Sequence, residues 1–490
     1  MLPWKSIITL RPDVKRPLYL QISDALIKEI SARRIQPAQN IPGSRKMAEL
    51  IGVNRKTVIQ AYDELLAQGW IQSKRSSGTY ISDDLPINEY DALNASELLV
   101  KKLKSPEVNP FDYIPTSSSN RKKVITVDGG SPDHRLAPMD WIYRESRSII
   151  NTHYGKKLLT YSDIHGDIKL RNTLALYLSE TRGMNLSTEN LLITRGSQMG
   201  IFLATQALTN PDDKVVIGSS SYDAADWAFN YHGCDLQRVP VDQDGLNIDA
   251  LAELCSSQNI KMVYITPHHH FPTTVTLSNA RRIQLLELSI RHNFIILEDD
   301  YDYDFHYKSS SILPLASLSH GGRVIYVGSF SKVFAPNVRV GYVAASGWQV
   351  DRMARIRRII DRQGDQIMER VMAQAILAGE LSRHLKKSLR VYKQRRNHLS
   401  TLLKAHLGDQ VEFNLPEGGM AIWLKFNNLK LEKLKHTFLD SGLFLDIDKY
   451  LAMQFNAFRF GFASLHESEQ IDVVKKMVEV IKPRASSTSS

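Results

Sequence analysis

Val324-Ile325-Tyr326-Val327-Gly328-Ser329-Phe330-Ser331-Lys332, followed seven residues later by Arg339, decides the fold of the larger part of this chain. Val324–Gly328 is a short apolar run bounded by small polar residues, the pattern of a strand buried on both faces. Runs of the same kind recur at Leu191–Thr194, Lys214–Gly218, Met262–Thr266 and Phe294–Glu298, alternating with helical segments. That alternation predicts a mostly parallel α/β sheet. From about Gly347 onward the chain is expected to be helix-rich at first and mixed after. No internal repeat is visible.

A different pattern precedes residue 83. Leu18-Tyr19-Leu20-Gln21-Ile22, continuing through Ala25-Leu26 to Ile30, spaces apolar residues as a helix does, and Pro37 and Ile41-Pro42-Gly43 close it. Ser44 is expected to cap a short helix over Arg45–Ile51 that Gly52 ends. Asn54 is expected to cap a helix from Arg55 to Gln68 that Gly69 stops. Two short strands, around Trp70–Lys74 and Thr79–Ser82, are joined by the turn Arg75-Ser76-Ser77-Gly78. Together these elements predict an α+β winged helix-turn-helix. The first residues of a recognition helix lie near base edges, which makes Asn54, Arg55, Lys56 and Thr57 candidates for DNA contact. Arg45 is placed for a backbone or base contact, and Lys74, Arg75, Gly78 and Thr79 for a basic wing. Arg55 and Lys56 are cations at the positive end of a helix dipole, which weighs against a purely structural role.

Bulk properties agree with two or three folded domains. The 490 residues are 43% hydrophobic and 23% charged, as in soluble globular proteins. The net charge is +10, and residues 1–80 hold 13 Lys/Arg against 6 Asp/Glu, so about +7 sits in a sixth of the chain. A second Arg-rich stretch, Arg352–Arg362, reads as the solvated face of a long helix. Only two cysteines, Cys234 and Cys255, argue against a secreted disulfide scaffold. Met1-Leu2-Pro3-Trp4-Lys5 opens no long apolar run, and no stretch approaches the ~20 apolar residues of a membrane span. A cytoplasmic protein without membrane contact is expected. The domains are predicted as a DNA-binding head over 1–82, a linker over 83–122, an effector domain over 123–484 and a disordered tail over 485–490.

Lys332 follows a buried strand, where desolvation and a nearby cation lower an amine's pKa and make it competent to form a Schiff base. Arg339 offers a fork for a phosphate and Ser329 a hydroxyl. Arg195-Gly196-Ser197-Gln198 turns a strand into a helix, whose free N–H groups bind anions. Glu298-Asp299-Asp300-Tyr301 ends another strand. A carboxylate there can keep a pyridine nitrogen protonated, a tyrosine two residues on can reach a ring hydroxyl, and Tyr222 can stack on a ring. The set fits pyridoxal 5′-phosphate (PLP). Each residue alone has a plain alternative: a salt-bridged Asp299, a core Tyr222, a surface Lys332.

Residues 10–82, through Pro17-Leu18-Tyr19-Leu20-Gln21-Ile22, Ile41-Pro42-Gly43-Ser44-Arg45, Val53-Asn54-Arg55-Lys56-Thr57-Val58 and Gly78-Thr79-Tyr80, resemble the GntR family of bacterial regulators. Most of Val124–Lys482 resembles the fold-type I aminotransferases, and within them the sensor domain of MocR-type regulators. The likeness is carried by Gly130-Ser131-Pro132-Asp133, Gly196-Ser197-Gln198, Thr266-Pro267, Phe271-Pro272-Thr273, Glu298 to Asp302, Ser331-Lys332 and Arg339-Val340-Gly341-Tyr342. The resemblance implies an α/β PLP-dependent aminotransferase-like fold of type I after the winged helix. It makes Lys332 the internal-aldimine lysine, Asp299 the partner of the pyridine nitrogen and Tyr301 that of the ring oxygen. Gly196, Ser197, Gln198, Ser329 and Arg339 would line the phosphate site. Arg459, in Phe458-Arg459-Phe460-Gly461-Phe462, would grip an effector carboxylate. It also implies a homodimer with head-to-tail pairing, acting on an operator of double-stranded DNA in the bacterial nucleoid. A small amine or amino acid, or PLP itself, would be the signal.

Two departures stand out. Aminotransferases of this type usually read Asn-Pro-Thr-Gly where this chain has Phe271-Pro272-Thr273-Thr274, and the missing asparagine normally helps hold the ring oxygen. Tyr222 lacks the Pro-Gly often found beside it. The first departure argues against the rival reading, a working aminotransferase carrying a DNA-binding head. A third reading keeps the DNA head and treats the second domain as a dimerisation module with a vestigial pocket. His268-His269-His270 invites a metal, but successive side chains after a strand point to opposite faces, so a hydrogen-bonding role near the cofactor is expected instead. The acidic run Asp299, Asp300, Asp302 and Asp304 lacks the spacing of a metal loop, and no metal is expected.

Overall fold

The computed structural model describes residues 3–74, 78–86, 124–308 and 312–481. The chain separates into two compact units, Met1–Tyr113 and Ile114–Ser490.

In the first unit, helices Leu18–Ser31, Ser44–Ile51 and Arg55–Ala67 enclose a small core of Ile22, Leu26, Ile30, Met47, Val58, Ala61 and Leu65. Strands Ile71–Lys74 and Gly78–Ile81 pair antiparallel as the wing. A short strand at Asn40–Ile41 adds to Gly78–Ile81, and a helix at Trp4–Ile7 contributes Trp4 to the core; neither was expected. Asn54 caps the third helix as expected, its Oδ1 accepting the Lys56 N–H at 2.9 Å. Ser44 does not cap the second. Gly43 is the N-cap and Ser44 the first helical residue, because the extended backbone that a cap requires is taken by Gly43, at φ −60° and ψ 158°. Gly52 ends that helix in the left-handed conformation, φ 74°, which glycine adopts without cost. Gly78 lies in the strand rather than the turn. Arg75, most of the expected linker (87–122) and the expected tail fall outside the described residues.

The second unit is built on a seven-stranded sheet in the order Leu191–Thr194, Gly341–Ala344, Val324–Ser329, Ile295–Asp299, Ile260–Ile265, Lys214–Gly218 and Asp235–Val239. Only Gly341–Ala344 runs antiparallel to its neighbours. The apolar runs are continuous because both faces are buried. Leu191 and Ile193 enter one core and Leu192 the other; Val324 and Tyr326 enter the first, Ile325 and Val327 the second. A third core underlies a smaller antiparallel sheet of Val411–Glu412, Ala421–Phe426 and Ala457–Gly461, covered by helices Glu380–His406 and Glu467–Ile481. Strand Ile125–Val127 pairs with Leu443–Leu445 and delivers residues 128–130 beside that sheet.

The Arg-rich stretch is not simply a solvated face. Arg352, Arg355 and Arg358 are exposed, but Arg357 is fully buried and donates to the carbonyls of Ile164 and Ile193 at 3.2 and 2.5 Å. It sits seven residues after Val350 and three or four after Met353 and Ala354, on the inward stripe of helix Gly347–Ile360.

Candidate functional site

Ligands of open α/β sheets bind outside the carboxyl ends of the strands, and the candidate residues here stand at those ends. Strand Ile295–Asp299 ends on Asp299, which is 2% exposed. One carboxylate oxygen, Oδ2, accepts the Tyr264 hydroxyl at 2.9 Å; the other, Oδ1, is buried with no hydrogen-bond partner. Burial, helped by the charges of Asp300 and Asp302 and opposed by Tyr264 and Lys332, pushes this carboxyl up to about 7. An orphaned buried acceptor of this kind calls for a donor.

Strand Val324–Ser329 leads into Lys332. Its ammonium donates to the Gly130 carbonyl at 2.9 Å, and burial, reinforced by the Arg459 charge, lowers its pKa. Ser329 Oγ accepts the Ser331 N–H at 3.1 Å. Arg339, itself at φ 51°, donates to the Arg195 carbonyl at 2.6 Å. Its guanidinium lies against Gly196, where a Cβ would stand 3.3 Å from both Nη atoms, and Gly196 at φ 83° holds a backbone that side chains disfavour. Ser197 and Gln198 open the twelve-residue helix Ser197–Leu208 beside it. Gly196, Ser197, Gln198 and Arg339 therefore come together at one helix N-terminus.

Tyr222 stands at the N-cap of helix Asp223–His232, its ring edge-on to Phe271 at 5.2 Å between centroids. Burial pushes its hydroxyl up to about 12. The Tyr301 hydroxyl donates to the His269 carbonyl at 2.8 Å. Arg459 lies on strand Ala457–Gly461 between Phe458 and Phe460, whose rings fill the small core, so alternation turns Arg459 to the other face. Its guanidinium, 4% exposed, donates from Nε to the Gly129 carbonyl at 2.5 Å.

The three histidines diverge. His268 lies 3.2 Å from Asp300, His269 2.7 Å from Asp302, and His270 2.8 Å from the Thr273 hydroxyl. The acidic run is likewise dispersed: Asp300 also accepts from Tyr326 at 2.8 Å, and Asp304 pairs with Arg182 at 2.9 Å. Burial works against ionisation of Asp300, but His268, Arg182 and Tyr326 outweigh it and hold the carboxyl at about 2. Tyr264, bonded to Asp299, is absent from the candidates that the sequence offers, and Phe271, packed on Tyr222, is noted there only as a departure from the usual asparagine. Tyr264 carried a signal, since it is the one hydroxyl-bearing residue in the apolar strand Ile260–Ile265.

In the first unit Arg45, Asn54, Arg55 and Lys56 are exposed, as is Gly78, while Thr57 and Thr79 are half-buried. Arg45, Arg55 and Lys56 make no ion pair among the described residues, and Lys74 is the last residue of its strand. The Tyr62 hydroxyl donates to the Pro42 carbonyl at 2.7 Å and braces the third helix against the turn before the second.

The sequence pattern of aminotransferase class I and II matches residues 130–486, and that of the gntR family of bacterial regulatory proteins matches residues 18–81. An aromatic-amino-acid aminotransferase of Thermococcus litoralis is 28% identical over 73% of this chain and 88% of its own. The probable rhizopine catabolism regulatory protein MocR of Rhizobium meliloti is 25% identical over 86% of this chain and 84% of its own. A kynurenine aminotransferase of Pyrococcus horikoshii, solved in complex with PMP, superposes with a TM-score of 0.68 at 28% identity, covering 74% of this chain and 91% of that one.

Proposed function

The chain belongs to the aminotransferase class I and II family and carries a gntR-family domain ahead of it, and on that premise we propose that it is a DNA-binding transcription regulator whose aminotransferase-like domain holds PLP and senses a small amine or amino acid. The observation that carries the reading is the orphaned Asp299 Oδ1 on a buried carboxylate that feels the charge of the buried Lys332 amine. The residues present fit the cofactor. Bound there, PLP would supply an aldehyde carbon and an electron-withdrawing ring.

Lys332 Nζ is the group that would bond to that carbon, and its lowered pKa leaves more of the amine neutral and nucleophilic. Asp299 Oδ1 would accept a ring N–H, and that positive partner would keep the carboxylate ionised against burial. Tyr301 would serve the ring oxygen and Tyr222 the ring face. Gly196, Ser197 and Gln198 would meet the phosphate with helix N–H groups, joined by Ser329 and by the Arg339 fork. Arg459 would hold a ligand carboxylate, and differential binding of the ligand would shift the affinity for DNA. In the head, Arg45, Asn54, Arg55, Lys56 and Thr57, with Lys74, Arg75, Gly78 and Thr79, would contact the operator. The domain limits 1–82, 83–122, 123–484 and 485–490 belong to this reading.

The second unit also exposes large apolar side chains close together. Tyr161 is 76% exposed under the Arg362 guanidinium, and Ile359, three residues before Arg362, is 85% exposed. A second copy, paired head to tail, would cover them. No described helix is long and apolar enough to cross a membrane. A regulator of this type works in the bacterial cytoplasm, associated with the nucleoid while bound.

The test is an absorption spectrum of the purified chain with PLP, before and after borohydride, followed by peptide mapping. The reading expects a visible band that borohydride fixes covalently on Lys332 and that Lys332→Ala lacks. No band and no adduct would overturn it.

A further inference from the structure

Arg459 is a buried cation without a close counter-ion. Its nearest carboxylate oxygen, Asp302 Oδ2, stands 4.0 Å from Nη2, while the other Asp302 oxygen is committed to His269 at 2.7 Å. Beyond the Gly129 carbonyl, Nη1 reaches the Pro272 carbonyl at 3.4 Å, and the Tyr301 hydroxyl also interacts with the guanidinium. What surrounds the guanidinium instead is aromatic: its carbon lies 5.0 Å from the centre of the Phe271 ring and 5.7 Å from that of Tyr301. Both distances fall in the range where a ring quadrupole attracts a cation.

Phe271 is itself braced. Its N–H donates to Thr266 Oγ1 at 2.9 Å, and its ring meets that of Tyr222 at 70°. A phenyl ring has no acceptor atom, so it steadies the guanidinium without claiming any of its N–H groups. The asparagine usual at this place would offer an amide oxygen in competition with a ligand. Resting on the reading of the site as a sensor for PLP and an amine, we infer that Phe271 is a positioning residue, holding the Arg459 guanidinium with its N–H edge free for a ligand carboxylate. Phe271 thereby sets how strongly the site prefers an amine bearing a carboxylate over the same amine without one.

The test uses the full-length chain loaded with PLP and follows the cofactor band during titration with matched pairs: alanine and ethylamine, ornithine and putrescine, phenylalanine and phenethylamine. Each variant is scored by its affinity ratio within a pair, so a general loss of binding cancels. Phe271→Leu keeps apolar volume and removes the π face; Phe271→Tyr keeps the face. The expected result is a preference for the amino acid in wild type that falls roughly tenfold in Phe271→Leu and is retained in Phe271→Tyr. In an Arg459→Gln background, Phe271→Leu is expected to change nothing further. An unchanged ratio in Phe271→Leu, or a further fall in the Arg459→Gln background, would overturn the inference alone. A wild type that responds to no member of any pair would overturn the sensor reading itself.

Discussion

Asp299 shows how one side chain can constrain what its surroundings are for. A carboxylate is normally costly to bury, and here one oxygen is answered by Tyr264 while the other is not. Burial pushes the carboxyl up from its ordinary value near 3.8 to about 7 in the folded chain. A carboxyl raised in the folded state contributes stability that is fully present below about pH 4 and is lost as the pH rises toward about 7. The melting temperature of the wild-type chain relative to that of Asp299→Asn, measured without PLP, should therefore fall across that window. Equal slopes in the two proteins would contradict the burial argument. Glu369, raised to about 7, and Asp223, raised to about 6, pull the same way, while His270 and His306, lowered by burial to about 3 and about 4, pull the other way; all four are shared by both proteins and drop out of the comparison.

At the scale of elements, the recognition helix separates holding from reading. Asn54→Ala removes a cap and should lower stability by about 1 kcal/mol, seen as a lower urea midpoint. Arg55→Ala touches no cap and no ion pair, so it should weaken DNA binding by tenfold or more and leave the urea midpoint in place. A shared loss of midpoint would make Arg55 structural. What could be read from the sequence follows the same division. The buried strands and the Asn54 cap were legible because the physics that sets them is local: apolar run length, turn chemistry, one side-chain oxygen two residues from its donor. Arg357 was misread because its burial depends on carbonyls at Ile164 and Ile193, far away in sequence, although its place on the stripe of Val350 and Met353 was visible. Phe271 was noticed only as a missing asparagine. Its contact with a guanidinium 188 positions away depends on two sheets meeting, which no local pattern reports.

The whole molecule joins a basic DNA-reading head to a domain whose residues suit PLP. Two copies are part of that account: Ile359→Glu with Ile360→Glu should sediment as a monomer where the wild type sediments as a dimer, and a dimer in both would place the interface elsewhere. The central claim is that the chemistry at Lys332 governs what the head does. It is tested most directly by the affinity of the full chain, loaded with PLP, for a DNA fragment that it has itself selected from a random pool. The affinity would be measured with and without an amino acid that shifts the cofactor band, in wild type and in Lys332→Ala. The account predicts a change of roughly fivefold or more in wild type and none in the variant. An affinity in wild type indifferent to the amino acid, or the same response in Lys332→Ala, would contradict it.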